Sequence, residues 1–168
     1  MKSPVIVLLG LLGCASAGRA PDAAARLNVP VCSQDIVAVP RGSLARMDSS
    51  RVLLRETNLR NARLVETDSV PELANQGEVS TELVRQYRAI LREANITGNV
   101  AALVVIDTVG VVTEHVIVKP SGHVQLDLAS ATIYSMMRFT PALADGCRAR
   151  SAAIIPAQWR IGSDQPPG

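Results

Sequence analysis

Residues 98–119, GNVAALVVIDTVGVVTEHVIVK, decide the fold of this chain. Residues 100–106 form an apolar run of seven that is rich in β-branched side chains, which favour strands. Residues 111–119 are again rich in β-branched side chains and predict a second strand. Between them lie residues 107–110, a short turn that ends in a glycine suited to a positive φ. The stretch therefore predicts an antiparallel β-hairpin.

Helical patterns flank this hairpin on both sides. Residues 79–94 carry apolar side chains at helical spacing, and residues 126–138 carry a second such pattern that ends before Pro141. Residues 148–161 are predicted to be a strand at a sheet edge, because Pro156 cannot donate to a ladder. The order helix, strand, strand, helix, strand predicts an α+β fold. We expect a two-layer sandwich, with the helices on one face of a small antiparallel sheet of about three strands.

The rest of the chain divides around this domain, which we predict to span residues 76–163. Residues 1–17 are interpreted as an export signal, residues 18–75 as a tether and a region of undetermined fold, and residues 164–168 as a tail. Within the undetermined region, residues 51–64 follow a capping sequence and are interpreted as a helix.

The N-terminus has the pattern of a secretory signal. Lys2 precedes an apolar run of eight residues, 5–12, which is shorter than the ~20 apolar residues that a membrane-spanning helix needs. Residues 11–14, LLGC, resemble a bacterial lipobox, in which Cys14 is lipidated; the alternative is ordinary cleavage after Ala17. We therefore expect the protein on the periplasmic side of a bacterial envelope, and as an outer-membrane lipoprotein if Cys14 is lipidated.

Two further cysteines form an even pair once Cys14 is lipidated or removed. In an oxidising compartment, Cys32 and Cys147 are expected to form one disulfide that closes a long loop. The alternative is two buried free thiols. The cysteine spacing includes no CxxC motif and does not indicate a zinc site.

Composition and charge exclude nucleic acid as a partner. Aromatic residues make up 2% of the chain, which is too few for base-stacking platforms. The net charge of +2 equals the charge of Lys2 and Arg19, the charged residues of the first twenty positions. The remainder of the chain is therefore neutral and lacks the basic surface that nucleic-acid binding requires.

Three polar residues invite a catalytic interpretation, which we reject. Ser121, His123 and Asp127 lie within one turn that leads into a helix, and residues so close in sequence rarely reach the geometry of a triad. His115 and His123 lack the accompanying cluster of Cys, His or acidic residues that a metal site needs. We therefore predict that the protein is not an enzyme and has no catalytic residue, metal or cofactor.

Several short motifs, taken in order, carry a resemblance to a known family. They are Tyr87, Gly98-Asn99-Val100, residues 106–112, Ser121-Gly122-His123, Leu126-Asp127, Arg138-Phe139-Thr140-Pro141-Ala142 and Gly146. This ordered set, spread over residues 72–161, resembles the C-terminal domain of the TonB family of periplasmic energy transducers. The resemblance implies a protein-binding domain that serves TonB-dependent transmembrane transport.

The resemblance also implies where a partner binds. In this family an extended segment of an outer-membrane transporter adds as a strand beside the last strand of the domain, and main-chain hydrogen bonds supply the affinity. Carried over to this chain, the binding residues are Ser151, Ala152, Ala153, Ile154 and Ile155, with Arg85, Gln86 and Tyr87 nearby. The alternative for this strand edge is that it is solvated or covered.

A second hypothesis keeps the fold without the energy transduction. An energy transducer needs a membrane-spanning anchor and a long Pro-rich spacer, and the sequence has the pattern of neither. On this hypothesis the protein is an envelope lipoprotein scaffold that binds another envelope protein or forms a homodimer through an edge strand. It would then reach the membrane only through its lipid anchor.

Overall fold

The computed structural model describes residues 26–43, 57–59, 61–67, 69–94 and 96–160. Within these ranges the chain forms two helices and six strands. In chain order they are β1 (Ile36–Val39), β2 (Arg63–Glu66), α1 (Gln76–Ala94), β3 (Gly98–Ile106), β4 (Val112–Lys119), α2 (Val124–Met136), β5 (Ala142–Ala144) and β6 (Cys147–Trp159). The α+β class is confirmed, as are the central hairpin β3–β4 and both flanking helices.

The sheet is larger than the sequence predicted, and it is mixed. Its strand order is β2-β1-β6-β3-β4, and β5 pairs with β6 outside this path. β3 runs antiparallel to β4 and β6, whereas β1 runs parallel to β6 and β2. The expected antiparallel sheet of about three strands is therefore wrong. The strands β2 and β5, which the sequence did not predict, have four and three residues, which is too short to show a period of their own.

Strand β3 lies in the interior and is buried on both faces. Val100, Ala102 and Val104 pack in the core beneath α1 and α2. Leu103 and Val105 belong to a second core on the opposite face. That second core also contains Val37, Val39, Leu59 and Ala152. Burial on both faces explains why β3 is a continuous apolar run instead of an alternating one.

Pro156 had predicted that the last strand lies at the sheet edge, but β6 is an internal strand. β6 lies between β3 on one side and β1 on the other. The pairing with β1 involves only Arg150 and Ser151, so no described strand lies beside Pro156 on the side opposite β3. The physical rule for proline is satisfied locally, although β6 as a whole is internal.

The helix interpreted over residues 51–64 does not extend to its expected end. Arg63–Glu66 is strand β2, and residues 57–59 form a turn. The start of that interpretation lies outside the described residues. β2 pairs in parallel with β1, so its conformation depends on a neighbour distant in sequence.

The hairpin turn is joined to the segment after α2 through Gly110. The Gly110 carbonyl accepts a hydrogen bond from the Phe139 N–H at 2.8 Å. Gly110 has a φ of +91°, and a Cβ at this position would lie 1.8 Å from the Phe139 carbonyl oxygen. Both the backbone conformation and this close approach require glycine here.

Replacing Gly110 by alanine is expected to lower the free energy of unfolding by more than about 2 kcal/mol, because overlap with Phe139 adds to the strain of a positive φ. Gly122→Ala is the matched control, since Gly122 has a φ of +88° and no heavy atom within 4 Å of its Cβ position. Urea denaturation of both variants measures the difference. Equal losses would show that the contact with Phe139 imposes no constraint.

Cys32 and Cys147 form a disulfide, as the cysteine count predicted. Their Cα atoms are 5.1 Å apart, and 115 positions separate them in sequence. The bond joins the segment before β1 to the first residue of β6. It therefore closes a loop that contains every other helix and strand.

Replacing both Cys32 and Cys147 by serine is expected to lower the free energy of unfolding by about 4 kcal/mol, the order of the chain-entropy effect for so long a loop. Urea denaturation with and without dithiothreitol measures this loss. Reductant should destabilise the wild type and leave the double variant unchanged. A wild-type unfolding midpoint that does not respond to reductant would contradict the prediction.

Candidate partner-binding edge

The predicted partner-binding strand has one paired side and one partly open side. β3 covers one side from Ser151 to Trp159, with residue pairs running from Gly98↔Trp159 to Ile106↔Ser151, and β5 pairs with residues 147–149. On the other side, Val31 forms a bridge with Arg148, and β1 pairs with Arg150 and Ser151. From Ala152 onward, no strand in the described part of the chain occupies that side. We call residues 152–158 on this side the open edge.

The backbone groups on the open edge follow from strand geometry. The Arg148 N–H donates to the Pro30 carbonyl at 2.7 Å, and the Arg148 carbonyl accepts the Cys32 N–H at 2.8 Å. Both Arg148 groups thus point away from β3, and β6 pairs with β3 without a register shift. Alternation then directs the same groups of four further residues to the open edge. These residues are Ala152, Ile154, Pro156 and Gln158.

The open edge therefore offers carbonyl acceptors at all four positions but N–H donors only at Ile154 and Gln158. Pro156 has no N–H, and the parallel pairing of Ala38 with Ser151 uses the Ala152 N–H as a donor to the Ala38 carbonyl. Of the predicted binding residues, Ile154 directs both backbone groups to the open edge, and Ala152 directs only its carbonyl there. Ser151, Ala153 and Ile155 direct theirs to β3. The prediction named residues on both sides of this strand and did not separate the two sides.

The side chains beside the open edge are small or apolar. Ala152 is fully buried, and Ile154 is 41% exposed on the face opposite the helices. Pro156 is exposed on that same face. Ile155 lies in the core on the helix side. A strand added here would contact Ile154 and Pro156 on one face, with no bulky side chain at Ala152 to keep its backbone away.

The predicted α1 residues lie at the other end of β6. Tyr87 is buried and stacks on Trp159, with ring centroids 6.5 Å apart and planes inclined by 5°. Arg85 is exposed and forms an ion pair with Glu82 at 2.5 Å, and Gln86 donates to the same carboxylate at 2.7 Å. These hydrogen bonds, first from Arg85 and then from Gln86, lower the pKa of Glu82. Tyr87 therefore positions β6 through Trp159.

Two hydrogen bonds from buried side chains hold β6 beneath α2. The Tyr134 hydroxyl donates to the Ile155 carbonyl at 2.9 Å, and the Trp159 Nε1–H donates to the Ser130 hydroxyl at 2.8 Å. Burial raises the pKa of the Tyr134 phenol, because the charged form would lose its hydration. Trp159 was not predicted as a positioning residue, although it is the only Trp of the chain and ends the last strand.

Tyr134 should stay protonated in the folded protein where an ordinary tyrosine titrates, above about pH 10. Its folded-state pKa exceeds the unfolded value, so unfolding releases a proton and stability should fall as the pH rises past that point. Tyr134→Phe should remove part of this fall and leave the native tyrosinate absorbance at 295 nm unchanged between about pH 9 and 11. A lower native absorbance in Tyr134→Phe would show that the phenol titrates normally.

The rejected catalytic residues have structural roles in the helix start. The Ser121 hydroxyl donates to the His123 carbonyl at 3.0 Å, and Asp127 accepts the Ser121 N–H at 2.8 Å. These contacts use backbone groups and orient the turn before α2. No group of three or more His, Cys, Asp or Glu residues that could hold a metal occurs among the residues described. Within the same ranges, no helix has the length and apolar character needed to cross a membrane.

The geometry can be compared with known protein families. Residues 84–161 match the family model described as Gram-negative bacterial TonB protein C-terminal. Residues 84–161 form a TonB C-terminal-like domain. This family is periplasmic and non-enzymatic, and its domains interact with outer-membrane transporters. Searches of curated proteins and of solved structures found no significant match.

The family match begins within α1 and ends just past β6. It therefore contains the open edge, Tyr87 and Trp159. β1, β2 and Cys32 precede it. The resemblance identified from sequence covered residues 72–161, which has the same C-terminal limit. The strand that fills part of the outer side of β6 is thus an addition to the TonB C-terminal-like domain.

Proposed function

We propose that this protein binds an extended segment of an outer-membrane transporter, or of another envelope protein, by strand addition at the open edge. The observation that supports this most is the row of backbone groups on residues 152–158, on the outer side of the last strand of a TonB C-terminal-like domain. Strand addition derives its affinity from such groups and its selectivity from alternate side chains. The transport role would be that of the family.

The location at the envelope is part of the same proposal. The export signal and the Cys14 lipidation site lie outside the described residues. A protein that is exported and held by a lipid would present the open edge to the periplasm. Arg85 and Gln86 remain proposed contacts for a segment that extends beyond Gln158 toward α1.

A scaffold function without energy transduction is the second candidate. The observation that favours it is β1, which fills the outer side of β6 at Arg150 and Ser151. A partner strand is thereby confined to residues 152–158, a shorter edge than the whole outer side of β6 would offer. A shorter edge favours a weaker, purely binding role.

An NMR titration tests the proposed strand addition. The ligands are peptides from the periplasmic N-termini of outer-membrane receptors of the same cell. We expect the largest amide shifts at Ile154 and Gln158, because only these residues direct an N–H to the open edge. Shifts confined to α2 or β4, or no shift with any peptide, would contradict the proposal.

Proline substitution tests the backbone contacts separately from the side chains. Ile154→Pro removes one N–H from the open edge and should weaken peptide binding about tenfold, the effect of one lost hydrogen bond. Pro156 already occupies the equivalent position two residues on, so the strand tolerates this change. Ile154→Ala is the matched control, because it keeps the N–H. Equal losses in both variants would attribute the binding to the side chain.

A further inference from the structure

The first described segment lies directly against the start of β6. We call residues 26–35 the N-terminal arm. Besides the two backbone hydrogen bonds with Arg148, the arm accepts a hydrogen bond from the Arg148 Nε–H at the Val29 carbonyl, 2.9 Å away. Because Val31 pairs with Arg148 in a parallel bridge, the arm runs in the same direction as β6. Among the described residues, the arm therefore reaches β6 before the chain enters any other strand.

The rest of the arm has few attachments. Arg26 is 3% exposed and donates from Nη1 to the Pro141 carbonyl at 3.1 Å and to the Thr140 hydroxyl at 3.3 Å. Leu27 and Val31 are 46% and 53% exposed. Hydrogen bonds exchange with water when a segment is pulled away, so their net strength is small compared with that of a covalent bond. These contacts alone would give the arm a weak hold on the domain.

The arm is also attached to β6 by a covalent bond, which is much stronger than its hydrogen bonds. Cys32 is bonded to Cys147, the first residue of β6. Along this bond, the covalent path from the N-terminus to β6 omits residues 33–146. Those residues include both helices and strands β1 to β5. A pull on the N-terminus thus reaches β6 without passing through the remainder of the fold.

We propose that the Cys32–Cys147 bond is a mechanical clamp, which carries a load from the N-terminal part of the chain directly into the partner-binding strand. The partner end of this load path rests on the proposed function, because a segment added at residues 152–158 would pull on β6 itself. The membrane-side end enters through the arm. Residues 33–146 stay folded under load, since the force bypasses them.

Without the disulfide, the same load takes a different path. The arm would be held by its hydrogen bonds to Arg148, Thr140 and Pro141, and these would break one after another as the arm lifts away. The force would then enter β1 and the chain beyond it. Residues 33–146 would then unfold, and the chain between the N-terminus and β6 would lengthen. A pull on the N-terminus would extend the chain instead of loading the partner.

Single-molecule force extension of the full chain, held through tags at its two termini, tests the clamp without a partner. In the oxidised wild type, unfolding should release only residues outside the loop of 33–146. In Cys32→Ser/Cys147→Ser, or in wild type with dithiothreitol, the released length should be greater by about 400 Å, at about 3.3–3.6 Å per residue. The reduced wild type keeps the test valid if the double variant does not fold. An oxidised wild type that releases the full length would overturn the proposal.

A second arrangement, with one tag on the N-terminus and one on a bound receptor peptide, tests the path to the partner. The oxidised wild type should lose the peptide before any unfolding step, and the reduced protein should extend before the peptide detaches. Extension of the oxidised protein before detachment would overturn the proposal. If no peptide binds at all, the proposed function fails, while the measurement between the termini still decides whether the clamp exists.

Discussion

The proposed partner-binding surface depends above all on the unbroken pairing of β6 with β3. The strands pair from Gly98↔Trp159 to Ile106↔Ser151 without a shift, so side chains and backbone groups alternate strictly along β6. This register puts the tryptophan in the helix-side core and directs Pro156 away from β3. A slip of one residue would turn the apolar set outward and oppose the proline to a strand that needs its N–H. The open edge is a consequence of this register.

The segments that precede the TonB C-terminal-like domain, including β1 and the N-terminal arm, reduce the length of β6 that is open to a partner. β1 covers the outer side of β6 through Ser151, and the second core buries Val37, Val39 and Leu59 on the face opposite the helices. The sheet therefore has a packed core on both faces, and only part of β6 remains open. The disulfide attaches the N-terminal arm to that same strand. The proposed binding edge and the disulfide that attaches the N-terminal arm thus lie on the same strand, β6.

The strand that carries the proposed site could be predicted from sequence. Which of its two sides is paired and which is open could not. Residues 151–157 are small or apolar and a glycine turn precedes the strand, which is local information. That β1 pairs in parallel with Arg150 and Ser151 is not local, because a four-residue strand acquires its conformation only from its neighbour. The role of Trp159 was missed for the same reason. Its stacking on Tyr87 joins residues that lie far apart in sequence.

The α+β class, the β3–β4 hairpin and both helices follow from the sequence, and the count of cysteines favours a bond between Cys32 and Cys147 over two free thiols. Each of these depends on local periodicity, turn chemistry or the count of cysteines. The size and mixed character of the sheet, the internal position of β6 and the limits of its open edge depend on contacts that form only in the folded chain. Short parallel strands pair across long separations in sequence, and the burial that stabilises them has no signature within the strands themselves.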